Sequence, residues 1–152
     1  MTLAEWQRRL MDTVFRWAHP VSSNGHPQSK AMILLVDDER QLTQMVAYRL
    51  LANGYEVMAA ASGEEALPQA EKYRPQVLLI DYKLPQMSGL DVLREAKQKN
   101  PAVVAIMITG LTHQTAQIEE ESALLGADGF LHKPLHMETV LQIVNDHVKR
   151  GG

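Results

Sequence analysis

Five short apolar runs, each separated from the next by a stretch of helical length, set what this 152-residue chain can fold into. They are MILLV (32–36), EVMAA (56–60), QVLLID (76–81), VVAIMI (103–108) and DGFLH (128–132). The first, third and fourth do not alternate with polar residues, which is the pattern of strands covered on both faces. Between the runs, residues 39–52 place Leu42, Met45, Val46 and Leu50 at helical spacing. Ser62 and Glu65 have the spacing of a capping box that opens a second helix. Ser88, three residues before Asp91, caps a third helix over 89–99, with Pro101 just beyond its end. A fourth helix is predicted over about 113–125, stopped by Gly126, and a fifth over about 136–149. Strands alternating with helices in this way imply right-handed crossovers and a five-stranded parallel, doubly wound α/β sheet.

The chain divides into a candidate amphipathic helix (1–18), a linker (19–30) and one α/β domain (31–152). HPVSSNGHPQSK at 19–30 is rich in the residues that break regular structure. The net charge of −3 is unevenly spread. Residues 1–30 carry four basic against two acidic side chains, leaving 11 basic and 16 acidic in the remainder. An acidic body is poorly suited to direct nucleic-acid binding, where phosphate neutralisation dominates. With no cysteine there is no disulfide, thiolate metal site or cysteine nucleophile, and the six histidines show no metal spacing. No apolar run approaches membrane-spanning length, and Glu5, Arg8, Arg9 and Asp12 interrupt any signal-like stretch. A cytoplasmic location is the expectation.

In an open α/β sheet, ligands gather outside the carboxyl ends of the strands. Asp37 and Asp38 stand at that end of the first strand, and Asp81 ends the third. Thr109 follows the fourth strand and Lys133 the fifth. Three carboxylates brought together raise one another's pKa unless a cation intervenes. An all-oxygen set suits a hard ion, and Mg²⁺ that keeps several waters is the natural occupant. Lys133 and Thr109 would suit a tetrahedral anion beside the metal, and the whole set suits phosphoryl transfer to an aspartate. Singly, each piece has a plainer reading: a helix N-terminus for Asp37–Asp38, a turn for Lys133–Pro134, a core hydroxyl for Thr109. Their joint position at the strand ends is what favours a site.

VDDE (36–39), DYKLPQMSGLDVL (81–93), MITG (107–110) and GADGFLHKPL (126–135) together resemble the receiver domain of bacterial response regulators, over about residues 31–149. The resemblance implies the flavodoxin-like strand order 2-1-3-4-5. It implies Asp81 as phosphoacceptor, and Mg²⁺ held by Asp37, Asp38, Asp81 and the backbone carbonyl of Lys83. It further implies Thr109 as switch hydroxyl paired with Lys133, Phe130 as the aromatic switch, and a cis bond before Pro134. Pro85 and Gly89 match the loop after the acceptor, while the Lys83 side chain leaves the phosphoryl lifetime open. The implied function is a phosphorylation switch, not an enzyme acting on a separate substrate. It would be charged by a histidine kinase or phosphotransfer protein. It would signal to a protein target, or to a second copy, through the fourth helix, fifth strand and fifth helix.

Lys149 closes the predicted fifth helix, and Arg150 and two glycines follow it. The expectation is therefore a stand-alone receiver, the alternative being the N-terminal piece of a larger transcriptional or enzymatic regulator. Against an aspartyl phosphohydrolase of the haloacid dehalogenase type stands Lys83, where that class usually has a second Asp. Against a nucleotide or flavin module stands DDERQ, which lacks a phosphate-cradling glycine loop. In the N-terminal segment, Thr2 and Glu5 form a capping box, and Leu3, Trp6, Leu10, Val14 and Trp17 share one helical face. Packing within or between chains is ranked first for it, a start at Met32 second, and a membrane surface third.

Overall fold

The computed structural model describes residues 29–151 together with Thr2, Ala4 and Glu5. Five strands and five helices alternate along it. They are β1 (Met32–Val36), α1 (Arg40–Ala52), β2 (Glu56–Ala60), α2 (Gly63–Tyr73), β3 (Val77–Asp81), α3 (Gly89–Lys99), β4 (Val104–Gly110), α4 (Thr115–Leu124), β5 (Gly129–Lys133) and α5 (Met137–Gly151). All strand pairs are parallel, in the order β2-β1-β3-β4-β5. The flavodoxin-like receiver fold implied by the sequence is the fold of this domain. Among the described residues no helix is long and apolar enough to cross a membrane.

The two-residue period of the strands divides the core into two layers. Ile33, Leu35, Val77, Leu79, Ile106 and Ile108 point to one side, where Val46, Leu50 and Leu51 of α1 and Val140 and Val144 of α5 cover them. Leu34, Val36, Leu78, Ile80, Ala105 and Met107 point to the other, against Ala66 of α2 and Val92, Leu93 and Ala96 of α3. α1 and α5 thus cover one face and α2 and α3 the other, which is why the central strands carry no polar alternation. Asp128 ties three elements together: its Oδ2 accepts from the Ala105 N–H and from Lys97 Nζ, both at 2.9 Å. α4 is the least embedded helix, burying only Ile118 and Ser122 while Leu124 stands exposed.

Several boundaries differ from the sequence reading for identifiable reasons. β4 runs to Gly110, so Thr109 lies within the strand instead of following it. Its ladder partners are the cause: Thr109 pairs with His132 and Gly110 with Lys133, which makes Lys133 the last residue of β5. The capping box at Ser62 is half formed. Ser62 Oγ accepts from the Glu65 N–H, but Glu65 Oε2 accepts from the Ala61 N–H one residue early. The box at Ser88 and Asp91 is complete. At the N-terminus Thr2 and Glu5 exchange both predicted bonds, at 2.8 and 3.1 Å. The remainder of the predicted helix over 1–18, and the linker up to residue 28, lie outside the described residues.

Leu79 is buried in the centre of the sheet. Leu79→Ala is expected to lower unfolding free energy by about 2–5 kcal/mol, through lost transfer energy and a residual cavity. Denaturant titration of the variant against wild type checks this.

Candidate functional site

Because the strands are parallel and in register, their carboxyl ends form one edge, and the polar residues of the sheet collect there. Asp37 follows β1 directly, and its N–H donates to the Ala60 carbonyl at 3.1 Å, so the chain stays paired with β2 as it leaves the sheet. Asp81 is the last residue of β3, with Ile108 as its ladder partner. Asp37, Asp38 and Asp81 each offer a carboxylate oxygen within 4.8 Å of the others. Asp37 and Asp81 are buried and Asp38 is exposed, so the cluster opens to solvent on one side. The Lys83 N–H donates to Asp81 Oδ1 at 3.4 Å, folding the next loop back over the acid.

Lys133 Nζ reaches into this cluster from β5. It stands 3.0 Å from Asp81 Oδ2, 3.0 Å from Glu39 Oε1 and 3.4 Å from Asp37 Oδ2. The following Lys133–Pro134 peptide bond is cis. Glu39 was not singled out from the sequence. Its signal was its place in VDDE, but its reach to a lysine 94 residues away is visible only in the fold.

One ammonium cannot neutralise several carboxylates withdrawn from water. Burial pushes the Asp37 carboxyl up to about 6, helped by the Asp81 charge and opposed by the Glu39 N–H and Lys133. Burial likewise raises Asp81, against the hydrogen bond and charge of Lys133. For Lys133, burial alone would favour the neutral amine; the bonds to Glu39 and Asp81 and the charges of Asp37 and Asp81 outweigh it, and its pKa is raised. The donor set therefore fits a hard divalent cation: oxygen ligands, close together, short of positive charge.

Thr109 is buried, and its Oγ1 has no hydrogen-bond partner among the described residues. Buried hydroxyls are nearly always paired, so an orphan at this edge fits a group that arrives from outside. Phe130 lies two ladder rungs behind it on the same face, since Phe130 pairs with Met107 and His132 with Thr109. Its ring is half-buried against the α2–α3 layer. His132 Nε2 meets Glu119 Oε1 of α4 at 2.5 Å, linking β5 to the loosely held helix.

Gly89 fixes the loop after Asp81. A Cβ there would lie 2.4 Å from the Asp81 carbonyl oxygen and 2.8 Å from Tyr82 Cα, and the Gly89 N–H donates to the Tyr82 carbonyl at 2.9 Å. Only glycine admits so close a backbone approach.

Residues 33–145 match the family profile of the response regulator receiver domain. The chain belongs to that family. It is similar to the alkaline phosphatase synthesis transcriptional regulatory protein PhoP of Bacillus subtilis, 33% identical over 119 residues, covering 78% of this chain and 49% of that protein. The chemotaxis protein CheY of the same organism is 32% identical over 114 residues, covering 74% of this chain and 93% of that one. A CheY-like receiver domain structure from Methanospirillum hungatei superposes with a TM-score of 0.74 at 30% identity, covering 79% of this chain and 94% of the other. The chain spans about half the length of the transcriptional regulators it matches.

Two outcomes are expected. Gly89→Ala should destabilise the receiver by about 1–3 kcal/mol, because the added methyl displaces backbone beside Asp81; its denaturation midpoint reports this. Asp37 is protonated more readily when folded than unfolded, so it favours the folded state at low pH. That contribution is lost as pH rises from its ordinary 3.8 through about 6. In divalent-free buffer, Asp37→Asn should melt a few degrees above wild type at pH 8, with the gap closing below about pH 4.

Proposed function

We propose that this receiver is a phosphorylation switch that accepts a phosphoryl group on Asp81 from a histidine kinase or phosphotransfer protein and passes its state on by protein–protein contact. The observation that carries this reading is the convergence of Asp81, Asp37, Asp38 and Lys133 on one edge, with the unpartnered Thr109 hydroxyl on the strand beside Asp81. A carboxylate oxygen of Asp81 attacks phosphorus, and the new O–P bond forms as the P–N bond to the donor imidazole breaks. The electron pair leaves on the imidazole nitrogen, which is then protonated. Lys133 moves its hydrogen bond from Asp81 Oδ2 to the phosphoryl oxygens, and Thr109 donates its free hydroxyl to them. Asp37, Asp38 and Asp81, with the backbone carbonyl of Lys83, would hold Mg²⁺, which when bound offsets the carboxylate charge and that of the transferring oxygens.

Phosphorylation adds roughly −1.5 to −2 charges at a site already short of positive charge. Drawing Thr109 and Lys133 toward the new group pulls on β4 and β5, and Phe130, two rungs behind Thr109 on the same face, fills the space vacated. The element best able to respond is α4, with its two buried side chains and its exposed Leu124. The face of α4, β5 and α5 is the surface we assign to a protein target or a second copy. On this reading the chain assists its own phosphoryl transfer and hydrolysis and has no separate substrate. Direct contact with nucleic acid is not part of it.

Intact mass after incubation with acetyl phosphate and Mg²⁺ tests the proposal. One phosphoryl adduct is expected in wild type, and none in Asp81→Asn or with excess EDTA. An adduct that persists in Asp81→Asn would place the chemistry elsewhere.

A further inference from the structure

Glu39 stands where its side chain does not do the usual work. It is the N-cap of α1, a position favouring Ser, Thr, Asp and Asn because a short side chain turns back onto free N–H groups. Glu39 makes no such side-chain bond. Its backbone is nonetheless held at both ends. The N–H donates to Asp37 Oδ1 at 2.9 Å, and the carbonyl accepts from the Thr43 N–H and hydroxyl, each at 3.0 Å. From this fixed base the side chain, 60% exposed, extends across the mouth of the site and brings its carboxylate to Lys133.

An ammonium has three N–H donors. Around that of Lys133 stand three carboxylates, those of Glu39 and Asp81 at 3.0 Å and that of Asp37 at 3.4 Å. Asp81 and Asp37 have other roles on the reading given above, as acceptor and cation ligands. The Glu39 carboxylate has the ammonium as its hydrogen-bond partner. Resting on that reading, we propose that Glu39 is a positioning residue that holds Lys133 in its resting place and competes with the incoming phosphoryl group for it. The competition slows capture of a phosphoryl group by Asp81. It acts through contact and needs the reach of a glutamate: aspartate at this position keeps the charge but is one methylene short.

The test compares wild type, Glu39→Gln and Glu39→Asp in the full chain. One arm measures the rate of adduct formation with acetyl phosphate. The other measures acylation of Lys133 by an amine-reactive ester, mapped by peptide mass and referred to Lys97, which Asp128 holds away from the site. Melting midpoints confirm that each variant is folded. Both variants are expected to be phosphorylated roughly two- to fivefold faster than wild type, the scale of one partly exposed ion pair, with Lys133 acylation raised in both. Unchanged rate and acylation in both overturn the proposal. A Glu39→Asp variant that behaves as wild type while Glu39→Gln accelerates also overturns it, since charge alone would then suffice. Should no chain take up phosphate, the reading of Asp81 fails on its own. Raised acylation then upholds the hold on Lys133, and unchanged acylation removes it.

Discussion

Everything at the carboxyl edge of this sheet is organised by one ammonium placed among more carboxylates than it can neutralise. Lys133 faces Asp37, Glu39 and Asp81, while Asp38 adds a further negative charge at the open side. Both faces of the sheet are sealed by apolar layers, so these groups have nowhere to lie but the edge. Partial burial there strengthens each charge interaction relative to water. The outcome is a site held together by the Lys133 ammonium and kept short of positive charge, a standing attraction for a divalent cation.

The surroundings of this cluster are tightly packed on one side and loose on the other. The loop after Asp81 is pressed against the strand end through Gly89, where no side chain would fit. Thr109 is sealed in with an unused hydroxyl. By contrast α4, which His132 joins through Glu119, is lightly packed. A rigid charged edge beside a loosely packed helix is an arrangement in which a change of charge at the first shifts the second.

Most of the fold was legible because its strands are written in uninterrupted aliphatic runs and its helices in caps. Ser88 and Asp91 gave the start of α3 to the residue. Asp37, Asp38, Asp81 and Lys133 were legible because strand ends in such a sheet must converge. Less accessible were features decided across the sheet. Thr109 joined β4 because His132 and Lys133 extend β5 beside it, which the run VVAIMI does not reveal. Glu65 turned to Ala61 and not Ser62, a choice between neighbouring N–H groups that spacing leaves open. Glu39 is not legible as a site residue because an exposed glutamate at a helix start has an ordinary explanation, and its partner lies on the last strand.

The central claim is that the Asp37, Asp38 and Asp81 cluster is electrostatically incomplete and is made whole by a cation. Thermal melting as a function of Mg²⁺ concentration addresses it directly, since a ligand that binds only the folded state stabilises it by RT ln(1 + [L]/Kd). The account predicts a melting temperature that climbs with Mg²⁺ in wild type and does so far less in Asp38→Asn, whose altered carboxylate is exposed and bears no part of the core. A wild-type melting temperature indifferent to Mg²⁺, or an equal rise in the variant, would contradict it.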